Sequence, residues 1–327
     1  MEMLSAKHHL TAGNFDYLNE SLMRRSYLIA LFFVSFSSLL MLSLSAYRSS
    51  KKQEIKEPLM VLIPGGAFKM GSANGSDSKP VHKVFVRAFY LATKEVTNAE
   101  FVEFLNNIQT EIRNEEEVFF QDKQIYDLIC DGFCSDWEAE IYLQNGRFKV
   151  RTGQEHHPVT LVSWYGATAY TKWLSQRTGK SYRLPTEEEW EYAAGGGKAH
   201  QKWAGTNNSG KKLSQYANLC DQACAVKSWR YQILNDGYAY TAPVGSFKPN
   251  KFGLYDMTGN AHEWCSSRYF ESYIIPEHPS QKPEDINYVF RGGSWINKPT
   301  DVLTSSRFTA APDYCTTVVG FRLAKSK

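Results

Sequence analysis

Two cysteine pairs share one spacing, Cys130/Cys134 and Cys220/Cys224, while Cys265 and Cys315 stand apart. Paired thiolates can hold zinc, but zinc sites more often use a CxxC spacing with a second pair at a defined distance. An even count of cysteines fits structural disulfides better and leaves their pairing open. The histidines form no spaced ligand set: His8 and His9 lie near the start, and His156-His157 is a lone doublet before Pro158. Glu187-Glu188-Glu189 could serve as an acid–base group, although helix capping explains it better. Ser294 lacks the GxSxG frame of an activated serine, and Gly65-Gly66 and Gly195-Gly196-Gly197 lack the context of a phosphate loop.

The elements that hold these residues can be read from pattern. Val61–Ile63 reads as a strand, Pro64-Gly65-Gly66 as a turn and Ala67–Met70 as a second strand, and alternation predicts one more strand over Val81–Tyr90. Thr97–Asn106 has helical periodicity, with Phe101, Phe104 and Leu105 on one face and Thr97 or Asn98 as cap. Ile108–Gly153 is charged, with scattered aromatics, and is expected to be an irregular insertion closed by a disulfide. Val162–Arg177 predicts a second helix, with Ala167, Tyr170, Trp173 and Leu174 toward the core and Gly179 as its stop. At the next helix start Thr186 is the expected N-cap, Glu189 follows as in a capping box, and the acidic cluster suits the positive helix end. Few long helices, many loops and no internal repeat indicate a single α+β domain.

A composition 43% hydrophobic and 14% aromatic supplies a sizeable core. Lys plus Arg (37) nearly balances Asp plus Glu (34), for a net charge of +3, so no basic face argues for nucleic acid. Ser26–Tyr47 contains no charged residue and exceeds the roughly 20 residues that span a bilayer core as a helix. Two readings stand: an uncleaved signal anchor in the membrane, or a secretory signal that starts at Met23 and is cleaved near Ser43 and Ser45. Either places the body outside the cytoplasm. The chain thus divides into a polar extension (1–25), the anchor or signal (26–47), a polar linker (48–57) and a folded domain (58–327).

Several short motifs recur in a fixed order: Ile63-Pro64-Gly65-Gly66 with Met70-Gly71-Ser72, Lys94-Glu95-Val96-Thr97-Asn98, His157-Pro158-Val159 with Val162-Ser163-Trp164, and Tyr182–Glu191. They continue with Phe252–Asn260, Arg291-Gly292-Gly293-Ser294-Trp295 and Gly320-Phe321-Arg322. In this order they resemble the formylglycine-generating enzymes, also called sulfatase-modifying factors. The resemblance implies an irregular, loop-rich, C-type-lectin-like variant of the α+β class with bound calcium. One calcium set would map to Asn218, the carbonyl of Leu219, Asp236 and the carbonyl of Tyr238. The other would map to Asp256, the carbonyls of Gly259 and Ala261, and Glu263. All are hard oxygen donors of the kind calcium takes. His262, where relatives commonly carry Trp, is expected to loosen the packing beside the second set.

In the catalytic members of that family two cysteines follow the Arg-Gly-Gly-Ser-Trp signature and hold the copper that activates oxygen. Here Asn297 stands three residues after Ser294, and no cysteine occurs from Ser294 to Arg307. An amide oxygen is a hard donor and cannot replace thiolate on copper(I), so copper is not expected and no catalytic residue is assigned. Cys315 lies too far along to be a shifted ligand and is expected in a disulfide. The polar stretch Ile296–Val319 suits an adaptable contact surface, with Ser294, Trp295, Asn297, Arg307, Asp313 and Tyr314 as candidate contacts. The expected function is a calcium-stabilised binding or accessory domain for a protein or small ligand. The alternative is an enzyme of the same family, a protein-modifying oxidoreductase with a rebuilt site.

Overall fold

Among the described residues the chain forms short strands and three capped α-helices. A computed structural model describes residues 56–73, 75, 77–129, 138–274, 282 and 286–327. The apolar run at 26–47, most of the linker and the Cys130/Cys134 pair lie outside the described residues. Among the described residues no helix is long and apolar enough to cross a membrane. The body from Glu57 to Lys327 forms one compact unit.

One antiparallel sheet orders Met60–Ile63, Phe89–Ala92, Ala324–Ser326 and Tyr182–Arg183, so the first and last strands of the domain share a sheet. A second orders Phe308–Ala310, Tyr288–Arg291, His262–Arg268 and Val319–Gly320, the last pairing being parallel. The strand expected over Val81–Tyr90 is instead two, His82–Val86 and Phe89–Ala92, which join different sheets. The break between them packs against the Pro64-Gly65-Gly66 turn. A Cβ on Gly65 would meet the Ala88 nitrogen and the Val86 oxygen at 2.8 Å, closer than side-chain carbon tolerates. Only glycine lets the two backbones approach this way.

The described parts of Ile108–Gly153 are not irregular. They carry Glu111–Arg113, Glu117–Phe120 and Lys123–Asp127 as a three-stranded meander, then a hairpin of Ile141–Gln144 and Arg147–Val150. The meander's turns use left-handed Asn114, Glu115, Gln121 and Asp122, and the hairpin's uses Asn145-Gly146. The strands are short and mostly half-exposed, which masked their alternation.

The helices follow their caps. Thr97 Oγ1 accepts from Glu100 N, and Glu100 Oε2 accepts from Thr97 N, at the start of the Asn98–Leu105 helix. Ser163 caps Trp164–Thr178, which ends at left-handed Gly179 (φ 74°). Thr186 and Glu189 form a reciprocal capping box on Glu187–Ala194. Glu189 also binds Arg183 at 2.6 Å, so capping and pairing occupy this carboxylate. The core buries Trp190 and Trp264 together with two fully buried arginines, Arg291 and Arg322. Arg291 pairs with Glu191, and Arg322 with Glu263 at 2.6 Å.

Candidate functional site

The two expected calcium sets lie back to back. Gly259 forms a bridge with Asn218, and Asn260 N donates to the Asn218 carbonyl at 3.0 Å. A Cβ on Gly259, which sits at φ 76°, would fall 1.9 Å from that carbonyl oxygen. Glycine is therefore required where the two sets join.

In the first set the Asn218 amide nitrogen donates to Tyr240 O (2.9 Å) and Asn260 Oδ1 (3.2 Å). Its Oδ1 is buried without a hydrogen-bond partner. Asp236 accepts from Leu219 N (2.8 Å) and Tyr238 N (2.9 Å), while its own backbone N–H donates to Asp221 Oδ2. Burial chiefly, and the neighbouring Asp221 carboxylate in addition, push Asp236 up to about 7. A buried carboxylate pair without a cation is a costly arrangement, and a metal ion relieves it. Sequence reasoning missed Asp221, although it stands two residues after Leu219.

In the second set Asp256 occupies a left-handed turn position (φ 57°), a conformation that Asp tolerates better than most residues. Its Oδ2 accepts from Gly245 N, and its Oδ1 is buried without a partner. Glu95 was also missed as a participant. Its Oε1 accepts from Asn260 Nδ2 at 2.9 Å and its Oε2 is likewise unpartnered. Burial first, then the Asp256 charge, hold Glu95 well above the usual carboxylate range, and burial also raises Asp256. Glu263 is already engaged, by Arg322 at 2.6 Å through both oxygens and by Trp190 Nε1 at 2.7 Å. Among the described residues no three His, Cys, Asp or Glu side chains gather as a metal group. An ion at either place would therefore lean on amide and carbonyl oxygens beside one or two carboxylates, which suits calcium. The unpartnered oxygens of Asn218, Asp256 and Glu95 fit such an ion.

His262 does not loosen the packing. It is buried edge-on between Phe290 (5.0 Å) and Phe308 (4.4 Å), and burial lowers it to about 3, so the ring is neutral.

The expected contact surface after Trp295 requires correction. Ser294 and Trp295 are buried. Trp295 N donates to Asn260 O at 3.0 Å, and its ring meets Tyr240 edge-on. Arg307 is buried too, bound to Glu187 at 2.6 Å and to the carbonyls of Asp77 and Phe270, with Tyr269 and Tyr273 against its guanidinium. With four of its five N–H donors engaged, Arg307 is a structural post. Of the six candidate contacts only Asp313 and Tyr314 are exposed, and Asn297 is half-buried.

At Asn297 the amide oxygen accepts from both Ser294 N and Ser294 Oγ at 2.9 Å, and the Asn297 carbonyl accepts from Cys220 N at 2.9 Å. The nearby Cys220 is disulfide-bonded to Cys224, a bond consistent with an extracytoplasmic fold. Cys265 and Cys315 are free thiols, which corrects the expectation that Cys315 is disulfide-bonded. Cys265 is buried in the core around Trp190, and Cys315 Sγ lies 3.5 Å from Asp313 O. The donor set at Asn297 is thus an amide and a hydroxyl, which does not fit copper(I).

This loop-rich arrangement of small sheets, a few short helices and a buried Arg-Gly-Gly-Ser-Trp turn defines a sulfatase-modifying-factor type of domain. Residues 46–327 match the sulfatase-modifying factor enzyme 1-like domain, and the chain belongs to that family. It is 34% identical to the serine/threonine-protein kinase pkn1 of Chlamydia pneumoniae, over 86% of this chain but only 41% of that protein. The chain therefore spans about two fifths of those kinase-named relatives. It is 32% identical to the formylglycine-generating enzyme of Streptomyces coelicolor, over 81% of this chain and 88% of the enzyme. Among solved structures it is similar to PvdO from Pseudomonas aeruginosa, with a TM-score of 0.61 and 28% identity over 83% of this chain and 95% of that one.

Proposed function

We propose that this chain is an exported or membrane-anchored binding or accessory domain of the sulfatase-modifying-factor family, stabilised by calcium and without formylglycine-generating oxidase activity. The observation that carries the reading is the Asn297 side chain. It stands at the first copper-cysteine position and is spent on capping Ser294 through two hydrogen bonds. No cysteine occurs from Ser294 to Arg307 to supply a thiolate in its stead. Calcium, when bound, would supply positive charge that holds the Asp221/Asp236 and Glu95/Asp256 pairs together. Asn218, Asp236 and Asp256 would hold it, with Glu95 and Asp221 as further oxygen donors. The carbonyls of Leu219, Tyr238, Gly259 and Ala261 complete the candidate sets, and Glu263 with Arg322 forms the rigid wall behind the second.

Binding in this reading uses the parts of the C-terminal segment that remain accessible, Asn297, Asp313 and Tyr314, toward a protein or small ligand. Elemental analysis of the purified chain tests the assignment. Calcium as the bound metal supports it. Stoichiometric copper or iron in place of calcium would overturn it in favour of a redox enzyme with a rebuilt site.

A further inference from the structure

A cleft of about 390 Å³ is lined by Glu138, Glu140, Arg151, Gln154, His157 and Thr241, and it borders the first calcium set only through Tyr240, whose carbonyl accepts from Asn218. Its volume is in the range of small-molecule pockets, roughly 300–1,000 Å³, and too large for a bare ion alone. At its base Glu140 is 3% exposed. Its Oε2 accepts from Asn98 Nδ2 at 2.9 Å and its Oε1 from Thr241 Oγ1 at 3.2 Å, and Thr241 Oγ1 in turn lies 2.9 Å from His157 Nδ1.

The chain of groups is held rigidly. Asn98 opens a helix, and its backbone N–H donates to His157 O while its amide also donates to Gln154 O at 3.0 Å. His157 N closes the turn onto Gln154 O. These bonds fix the 154–157 turn against the helix start before any ligand arrives.

The charges do not close. Arg151 is the cation of the lining, and it pairs within the lining with Glu138, not with Glu140. Its Nη1 binds Glu138 at 2.9 Å, its Nε donates to Ala139 O at 2.8 Å, and its guanidinium lies over the Tyr142 ring. Among the described residues Glu140 has no ion pair, only two neutral donors. Burial accordingly pushes it up to about 7. A buried carboxylate without its own cation takes up a proton or pairs with a cation, and the cleft beside Glu140 leaves room for a cationic ligand to take the proton's place. The proton positions select the kind of cation. With Glu140 ionised, the Thr241 hydroxyl donates to it, so His157 Nδ1 must be the donor to Thr241 and Nε2 is left as an acceptor. Burial lowers the pKa of the imidazole and so favours its neutral form. The site then offers carboxylate, imidazole and amide acceptors, which match the three donors of an ammonium group.

The geometry points to a binding site in this cleft for a small molecule carrying a protonated primary amine, with the ammonium group on Glu140. The assignment stands on these residues alone and needs neither calcium nor the Asn297 argument. Because the ligand selects ionised Glu140, its affinity rises with pH through 7, by about tenfold between pH 6 and pH 8.

The test is a titration of the purified protein with n-hexylamine and putrescine, with 1-hexanol as neutral control and calcium chloride as a bare cation. Heat and the His157 ring-proton NMR signals are followed at pH 6 and pH 8. Saturable amine binding that shifts the His157 signals, is about tenfold tighter at pH 8 and weakens at least tenfold in Glu140→Gln is the expected result. Thr241→Val, which cuts the His157–Glu140 link, should weaken it as well, with melting temperature as the folding control for both variants. The assignment is overturned by absent amine saturation, by equal binding of hexanol, by undiminished binding to folded Glu140→Gln, or by a His157 response to calcium and not to amines.

Discussion

Chelating calcium should lower the melting temperature much more at pH 8 than at pH 5.5. Without metal, Asp236 in the folded chain titrates at about 7 against an ordinary 3.8. As pH rises from about 4 to 7 the unfolded chain loses this proton first, so the group opposes folding progressively, by on the order of 2–4 kcal/mol once pH exceeds 7. Calcium favours the ionised carboxylate and reverses the effect. At a hundredfold excess over its dissociation constant the ion adds about 2.7 kcal/mol. For a domain of this size that corresponds to about 5–10 °C. At pH 5.5, about 1.5 units below the Asp236 midpoint, proton competition weakens binding about thirtyfold. The excess falls to about threefold and the gain to about 0.8 kcal/mol, or about 2–3 °C. Melts in calcium and in chelator at the two pH values provide the assay, with Asp236→Asn and Asp256→Asn as variants that shrink the calcium response. Coincident curves at pH 8, or an equal shift at both pH values, would refute the reasoning.

Two further outcomes follow from the core. Neutral His262 has its folded pKa depressed to about 3, so its contribution is complete above the unfolded value near 6.5 and is lost as pH falls, by about 1.4 kcal/mol per pH unit. Replacing it by Phe, which suits the gap between Phe290 and Phe308, should flatten the stability loss between pH 6 and pH 4; an unchanged acid limb would count against the assignment. For the thiols, alkylation followed by intact mass should leave Cys265 unmodified in native protein and modify it after denaturation, while Cys220 and Cys224 react only after reduction. Rapid native labelling of Cys265 would contradict its burial.

Local chemistry was the legible part of the sequence. Thr97, Thr186 and Gly179 each mark a helix end in the structure, because caps depend on residues within a turn of one another, whereas the Ser163 cap was not foreseen. The Ile108–Gly153 strands were hidden because a short, half-exposed meander has no strong hydrophobic period. Ordered motifs revealed the family and the backbone that carries Asn218 and Asp256. They could not reveal Glu95, which reaches Asn260 from 165 residues away, nor the fate of Arg307. That side chain reads as a polar surface residue until the fold brings Glu187 to it from 120 residues away. Trp295 was misplaced for the same reason: composition identifies a polar segment, but only tertiary contacts decide which of its side chains turn inward.

The most direct test of the central claim is a mass assay on a cysteine-containing sulfatase-motif peptide incubated with the purified chain, copper, reductant and oxygen. With Asn297 capping Ser294 and no cysteine from Ser294 to Arg307, the account predicts that the peptide thiol is recovered unchanged, while an active formylglycine-generating enzyme run in parallel converts it. Turnover-dependent loss of the thiol with gain of an aldehyde, by this chain alone, would contradict it.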